Sequence, residues 1–190
     1  MNAPLRTISL LAALVFAVPA VAAPNEAVSK PVKTVVQAVR FNKDDLAIKH
    51  FGGEQQGRFL LGEAWDKGTE AQRKEFIQLF HGLFAKIAFP KVRDNFKNLA
   101  AINYDDPTVE GETARVASTV VIEHPMKKQE LKLKYTLMKD KAAWKVVDVT
   151  VLGDSMLTGI RDDQVQPLLK EGGWDALLGA MRAKSQELKK

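Results

Sequence analysis

The chain contains no cysteine, which excludes disulfides, thiolate metal sites, thiol nucleophiles and a lipid-modified amino-terminal cysteine. Histidine is nearly as scarce. His50, His81 and His124 stand far apart, without the close pairing on one helix face that zinc sites use, so no metal site is expected. No glycine-rich loop leads into a helix in the manner of a phosphate cradle. Beyond the first residues, no apolar run approaches the roughly 20 residues needed to span a bilayer. A net charge of +5 is spread along the chain, without the compact basic block of a nucleic-acid binder.

What is present suffices for one folded domain. The chain has 190 residues, of which 46% are hydrophobic and 27% charged, enough for a real core and unlike the composition of disorder. Residues 1–22 read as a cleaved secretory signal: Arg6 supplies a thin positive region, ISLLAALVFAV an apolar run of signal length, and PAVAAP the small residues of a cleavage site. The cut is placed after Ala22, because Ala20 and Ala22 form the A-x-A pair and a cut after Ala23 would leave Pro24 beside the scissile bond. The mature protein is then expected to be exported and soluble, with no stable membrane anchor.

Residues 23–30 are polar and expected to be flexible, residues 31–184 form the single domain, and residues 185–190 are a basic tail. Ser29 as N-cap and Pro31 at the first position open a helix whose Val32, Val35, Val36 and Val39 share a face. A Gly52-Gly53 break precedes a second apolar stretch through Phe59, Leu60, Leu61 and Trp65. Thr69, with Gln72 three residues on, makes a capping box for a long helix in which Phe76, Leu79, Phe80, Leu83, Phe84 and Ile87 crowd one face. Pro90 is expected to stop that helix. Such a stripe is either ordinary core or the wall of an apolar pocket.

From Ile102 the apolar period changes to two. ETARVASTVVIEH, QELKLKYTLMKD and AAWKVVDVTVLGD read as an antiparallel meander, preceded by a weaker strand around Ala101 to Tyr104. Leu131, Leu133, Tyr135 and Leu137 fall on one side of their strand, with Lys132, Lys134 and Thr136 on the other. Helical patterns resume in DDQVQPLLKEGG and WDALLGAMRAKSQELKK. Helices, then strands, then helices predict an α+β fold, a curved antiparallel sheet of about four strands with helices packed over one face.

The sharpest catalytic motif is VTVLGDSML, which resembles the nucleophile block of GDSL esterases around Ser155. That chemistry needs a base supplied downstream of the serine, and all three histidines precede it. A Gly-Asp-Ser turn capping the next helix is the better reading. The carboxylate pairs Asp105-Asp106 and Asp162-Asp163 are adjacent in sequence and read as turn and helix-start charges. No catalytic residue is assigned, and the chain is not expected to be an enzyme.

A wider resemblance covers Phe59 to Met181. LLGEAW with GTEAQRKEFIQLFHGLF, then AWKVVDVTVLGDSML, Arg161 and EGGWDALLGAM, in this order and spacing, is similar to the MlaC and toluene-tolerance family of periplasmic phospholipid-binding proteins. The resemblance implies a soluble periplasmic carrier that holds a phospholipid's acyl chains between sheet and helices. Its expected partners are an outer-membrane lipoprotein complex and an inner-membrane ABC transporter with an MCE domain. The phospholipid would be cargo, and no cofactor is implied. The candidate lining is Trp65, Phe76, Phe80, Leu83 and Phe84 from helices, with Val120, Ile122, Leu133, Tyr135, Leu137, Val147 and Val149 from strands. A competing reading is a small-molecule-binding or isomerase-like domain of the same cone-shaped architecture, for which Tyr135 and Asp148 are the nominated pair.

Overall fold

The computed structural model describes residues 24–124 and 127–189. The signal-peptide reading of residues 1–22 therefore lies outside the described residues. Helix α1 spans Pro24–Arg40, α2 Asp44–Ile48, α3 Gly53–Leu61, α4 Glu63–Lys67 and α5 Glu70–Asn95. Strands β1 (Leu99–Tyr104), β2 (Thr108–Glu110), β3 (Thr113–His124), β4 (Lys127–Asp140), β5 (Ala143–Val151) and β6 (Asp154–Ser155) follow. Then come α6 (Met156–Ile160), a wider π-turn over Arg161–Val165, and α7 (Gln166–Glu187).

The sheet is antiparallel in the order β1-β3-β4-β5-β6, with β2 also pairing β3. Six strands replace the four expected. The two extra ones are a three-residue and a two-residue strand, too short to carry a legible alternation. The long β3/β4 hairpin pairs Val116 with Tyr135 and Val120 with Leu131. Between β4 and β5 the register shifts: Thr136 faces Asp148, whereas Leu137 faces Val146. Val147 is thus the extra residue of a bulge, and the bulge turns two successive valines, Val146 and Val147, into the interior.

Those two valines belong to different clusters. Val146 packs with the α1 valines, Phe51, Phe89, Val116 and Leu137 between the helices and the sheet. Val147 packs with Leu60, Trp65, Phe76, Phe80 and Leu177, where the helices meet one another. The helical cluster is tied by its tryptophans. Trp174 donates from Nε1 to the Ala64 carbonyl at 2.9 Å, and its ring meets Phe76 edge-on.

Two helices, α1 and α5, differ from the sequence reading. The segment after Pro24 is helical rather than frayed, and Ser29 lies buried inside α1 instead of capping it, because Val28 and Val32 continue the buried face across Pro31. Helix α5 runs through Pro90. The missing N–H forfeits one backbone bond, but Phe89, Val92 and Phe96 around it pack on the sheet-side cluster, and Arg93 beyond it bonds Asp44 at 2.7 Å. Tertiary packing outweighs the local break. Helix α7 contains a kink at Gly172 and Gly173, whose φ of +60° at Gly173 suits a residue without a Cβ. The Thr69 capping box forms as read: Gln72 N donates to Thr69 Oγ1 at 3.2 Å, and Thr69 N to Gln72 Oε1 at 2.8 Å.

Candidate functional site

A cavity of about 180 Å³ lies between the sheet and the helices. Helix α1 contributes Val35, Val36 and Val39, α5 contributes Phe84, Ala88, Phe89 and Val92, and Phe96 follows at the C-cap of α5. The sheet contributes Val120 and Ile122 from β3, Leu131, Leu133 and Tyr135 from β4, and Val149 and Val151 from β5. Phe51 and Met156 complete the wall, and among the described residues Asn95 is the one lining side chain with an amide. The alternation of β4 makes this possible, because its odd residues from Leu131 to Tyr135 face the helices while Lys132 and Lys134 face water.

The candidate residues divide. Phe84, Val120, Ile122, Leu133, Tyr135 and Val149 line this cavity. Phe80 and Leu83 line a separate cleft on the other side of α5. Trp65 and Phe76 line neither: Phe76 is fully buried, stacked on Phe80 at 5.8 Å and covered edge-on by Trp65 and Trp174. Leu137 is likewise solid core beneath the cavity, and Val147 sits on the helical side of the bulge. Sequence reasoning missed the contribution of α1 and of Phe51, Phe89 and Phe96. The valine stripe on α1 was visible, but nothing in its spacing says that the surface opposite it is hollow.

The polar groups nearby are engaged structurally. Asp148 shares the face of its partner Thr136, and successive strand residues point to opposite faces, so its carboxylate lies away from the face of Tyr135. Asp148 Oδ1 instead accepts the Leu157 N–H at 2.9 Å. Burial pushes the Tyr135 phenol above its ordinary value. The register therefore does not bring together the acid and hydroxyl that an isomerase-like site would need. Ser155 is the N-cap of α6, its Oγ accepting from Thr158 N at 3.0 Å.

What the fold and the site define is a class of protein: an α+β domain whose curved sheet and overlying helices enclose a hydrocarbon-walled cavity. The MlaC protein family model matches residues 30–183, and the chain belongs to that family. A solved phospholipid-binding protein from Ralstonia solanacearum, in complex with a phospholipid, superposes with a TM-score of 0.70 at 18% identity, covering 89% of this chain and 100% of that one. At that identity the likeness shows the shared fold. A SEC-C motif containing protein from Rhodopseudomonas palustris aligns at a TM-score of 0.38 and 8% identity over 64% of this chain and 76% of that one, too distant to inform. Among curated proteins no match is found.

Proposed function

We propose that the protein is a soluble periplasmic carrier that takes a phospholipid's acyl chains into the cavity between the sheet and helices α1 and α5. It would shuttle the lipid between an outer-membrane lipoprotein complex and an inner-membrane ABC transporter bearing an MCE domain, in the service of outer-membrane lipid asymmetry. The observation that carries this reading is the wall: side chains from six elements converge on one hollow, and all but Asn95 and the Tyr135 hydroxyl present hydrocarbon. Membership of the MlaC family and the lipid held by the Ralstonia protein support it. No helix of the described residues is long and apolar enough to cross a membrane.

Energetics set the requirements. Each buried CH₂ is worth about 0.8 kcal/mol, so exposing the roughly thirty methylenes of two acyl chains to water would cost on the order of 20 kcal/mol. A carrier must hide both chains. The cavity of about 180 Å³ is little larger than the roughly 150 Å³ that accommodates one benzene, so loading requires the helices to draw away from the sheet. A carrier that opens in this way needs only near-parity with a bilayer, which allows transfer in either direction.

Organic extraction of the gently purified mature protein followed by mass spectrometry tests the reading. Diacyl phospholipid near one per chain is the expected result. Its absence, together with no uptake from phospholipid vesicles, overturns the proposal.

A further inference from the structure

The cleft on the other side of α5 has a character of its own. It measures about 300 Å³ and runs between α5 and the segment from α6 to α7. Leu83 and Ile87 form one wall, and Ile160, Leu168 and Met181 the other. A seam between packed helices is normally filled, yet Ile87 is 39% exposed here and Met156, which also lines the cleft, 37%. Phe84, Ala88 and Met156 line both this cleft and the sheet-side cavity, so the two hollows are neighbours across those three side chains.

The polar residues on the cleft are Lys91, Lys184 and Gln164, and no carboxylate lines it. Lys91 makes no ion pair among the described residues. Asp94, one turn along the same helix, is already held by Lys97 at 2.8 Å. Lys184 reaches Glu187 at 2.9 Å, but that pair is exposed and of the kind that contributes little, so an incoming anion can replace it. An apolar cleft with two lysines and no carboxylate in its lining is complementary to an amphiphile with a hydrocarbon tail and an anionic head. Its volume is at the small end of pockets for organic ligands, which suits one chain rather than two.

We propose that the cleft between α5 and α7 is a second ligand site that binds a single alkyl chain bearing an anionic head group, with the chain against Leu83, Ile87 and Leu168 and the head between Lys91 and Lys184. Free fatty acids and lysophospholipids share this chemistry. The site is distinguished from carriage of a diacyl lipid by the sheet-side cavity because the side chains assigned to chain and head, Leu83, Ile87, Leu168, Lys91 and Lys184, line this cleft and not that cavity.

The test titrates the full mature chain, carrying whatever diacyl lipid it purifies with, by calorimetry against dodecanoate, a twelve-carbon lysophosphatidylglycerol and dodecyltrimethylammonium. One equivalent of either anion is expected, the tighter of the two identifying the natural source, with the cationic amphiphile binding about tenfold more weakly or not at all. Ile87→Trp, at an exposed rim position outside the sheet-side cavity, should abolish that equivalent while leaving the diacyl lipid content unchanged. The surface double variant K91E/K184E, which leaves the core untouched, should weaken anion binding about tenfold. Failure of both anions to bind, displacement of diacyl lipid one for one, or binding indifferent to both variants overturns the proposal. Absence of co-purifying diacyl lipid from the unaltered protein before any titration would instead bear on the carrier reading alone.

Discussion

His81 Nε2 lies 2.9 Å from Gln56 Oε1, and Gln56 Nε2 donates to the Val147 carbonyl at the same distance. The second bond fixes which way the amide points, so its oxygen is the acceptor and His81 must carry its proton on Nε2. Val147 is the bulge residue of β5, whose carbonyl the strand ladder leaves over. The middle of α5 is thus joined through α3 to the irregular point of the sheet. Phe51 and Phe80 flank the imidazole, and burial pushes its pKa down to about 4.

Stability should therefore depend on pH through His81. Its folded-state value lies below the ordinary value of 6.5, so the unfolded chain takes up the proton first. The contribution of the neutral ring is complete above about pH 6.5, declines as pH falls, and is lost by about pH 4, for a total of about 3 kcal/mol. His50 is depressed in the same direction, by partial burial and then by Lys145 and Lys30, and adds to the slope. Urea unfolding at pH 7.5 and pH 5 should show the loss, and His81→Gln should remove most of it. An unchanged pH dependence in that variant would disprove the assignment.

Two helical glycines should respond oppositely to alanine. A Cβ on Gly57 would enter the ring of Trp65, which is pinned between Phe76 and Trp174, whereas a Cβ on Gly82 would meet nothing within 4 Å. Gly57→Ala should destabilise by about 3 kcal/mol through overpacking, and Gly82→Ala should stabilise by about 0.8 kcal/mol through helix propensity. Thermal or urea unfolding at neutral pH reads both. Equal shifts in one direction would contradict the packing described around Trp65.

Much of this fold was written in local pattern, and the site was not. The alternation from Leu131 to Leu137, the Thr69 capping box and the Ser155 cap need only neighbouring residues, so each was legible in the sequence. Prolines 31 and 90 misled because the buried faces on either side of each carry the helix through a local defect. The bulge at Val147 left no mark, since a valine in a valine-rich strand looks the same in or out of register. Phe76 and Phe84 share one stripe on α5, yet Phe76 is sealed by Trp65 and Trp174 while Phe84 faces a hollow. That difference is set by residues outside the stripe, Trp174 among them nearly a hundred positions on, which periodicity cannot see.

The β5/β6 turn holds a strained residue. Leu152 has φ +54° and is followed by Gly153 at φ +104°, the two central positions of a tight hairpin between Val151 and Asp154. Such turns favour Asn-Gly, and a leucine in the left-handed region costs about 1 kcal/mol. Leu152 is also 70% exposed, so burial does not offset the strain. Leu152→Asn should raise stability by about 1 kcal/mol in a denaturant titration. A fall in stability would show that the leucine makes a contact the folded chain depends on.

Ser155 should behave as a cap and not as a nucleophile. Its Oγ accepts the Thr158 N–H while Asp148 accepts the neighbouring Leu157 N–H, so the two side chains share the first turn of the five-residue α6. Ser155→Ala should lower stability by about 1 kcal/mol and leave any hydrolysis of nitrophenyl esters at the background of the unaltered protein. Serine-dependent hydrolysis, abolished by the substitution, would reinstate the esterase reading.

The cavity itself is tested most directly from α1, the wall that sequence reasoning left out. Val36 is buried against the hollow, facing it with Val35 and Val39 across from Tyr135 and Val149. A Val36→Trp side chain would project into the space and occupy much of its roughly 180 Å³ without displacing solid core. Were this region ordinary packing, the substitution would overpack it and destabilise by about 3 kcal/mol. If it is the acyl-chain site, the variant should instead fold with near-normal stability and purify with less than about one-tenth of the phospholipid, a drop equivalent to about 1.4 kcal/mol against the membrane. Circular dichroism under urea and lipid mass spectrometry on the same sample separate the two. A stable variant that still carries a full complement of diacyl lipid would place the chains somewhere other than beside α1.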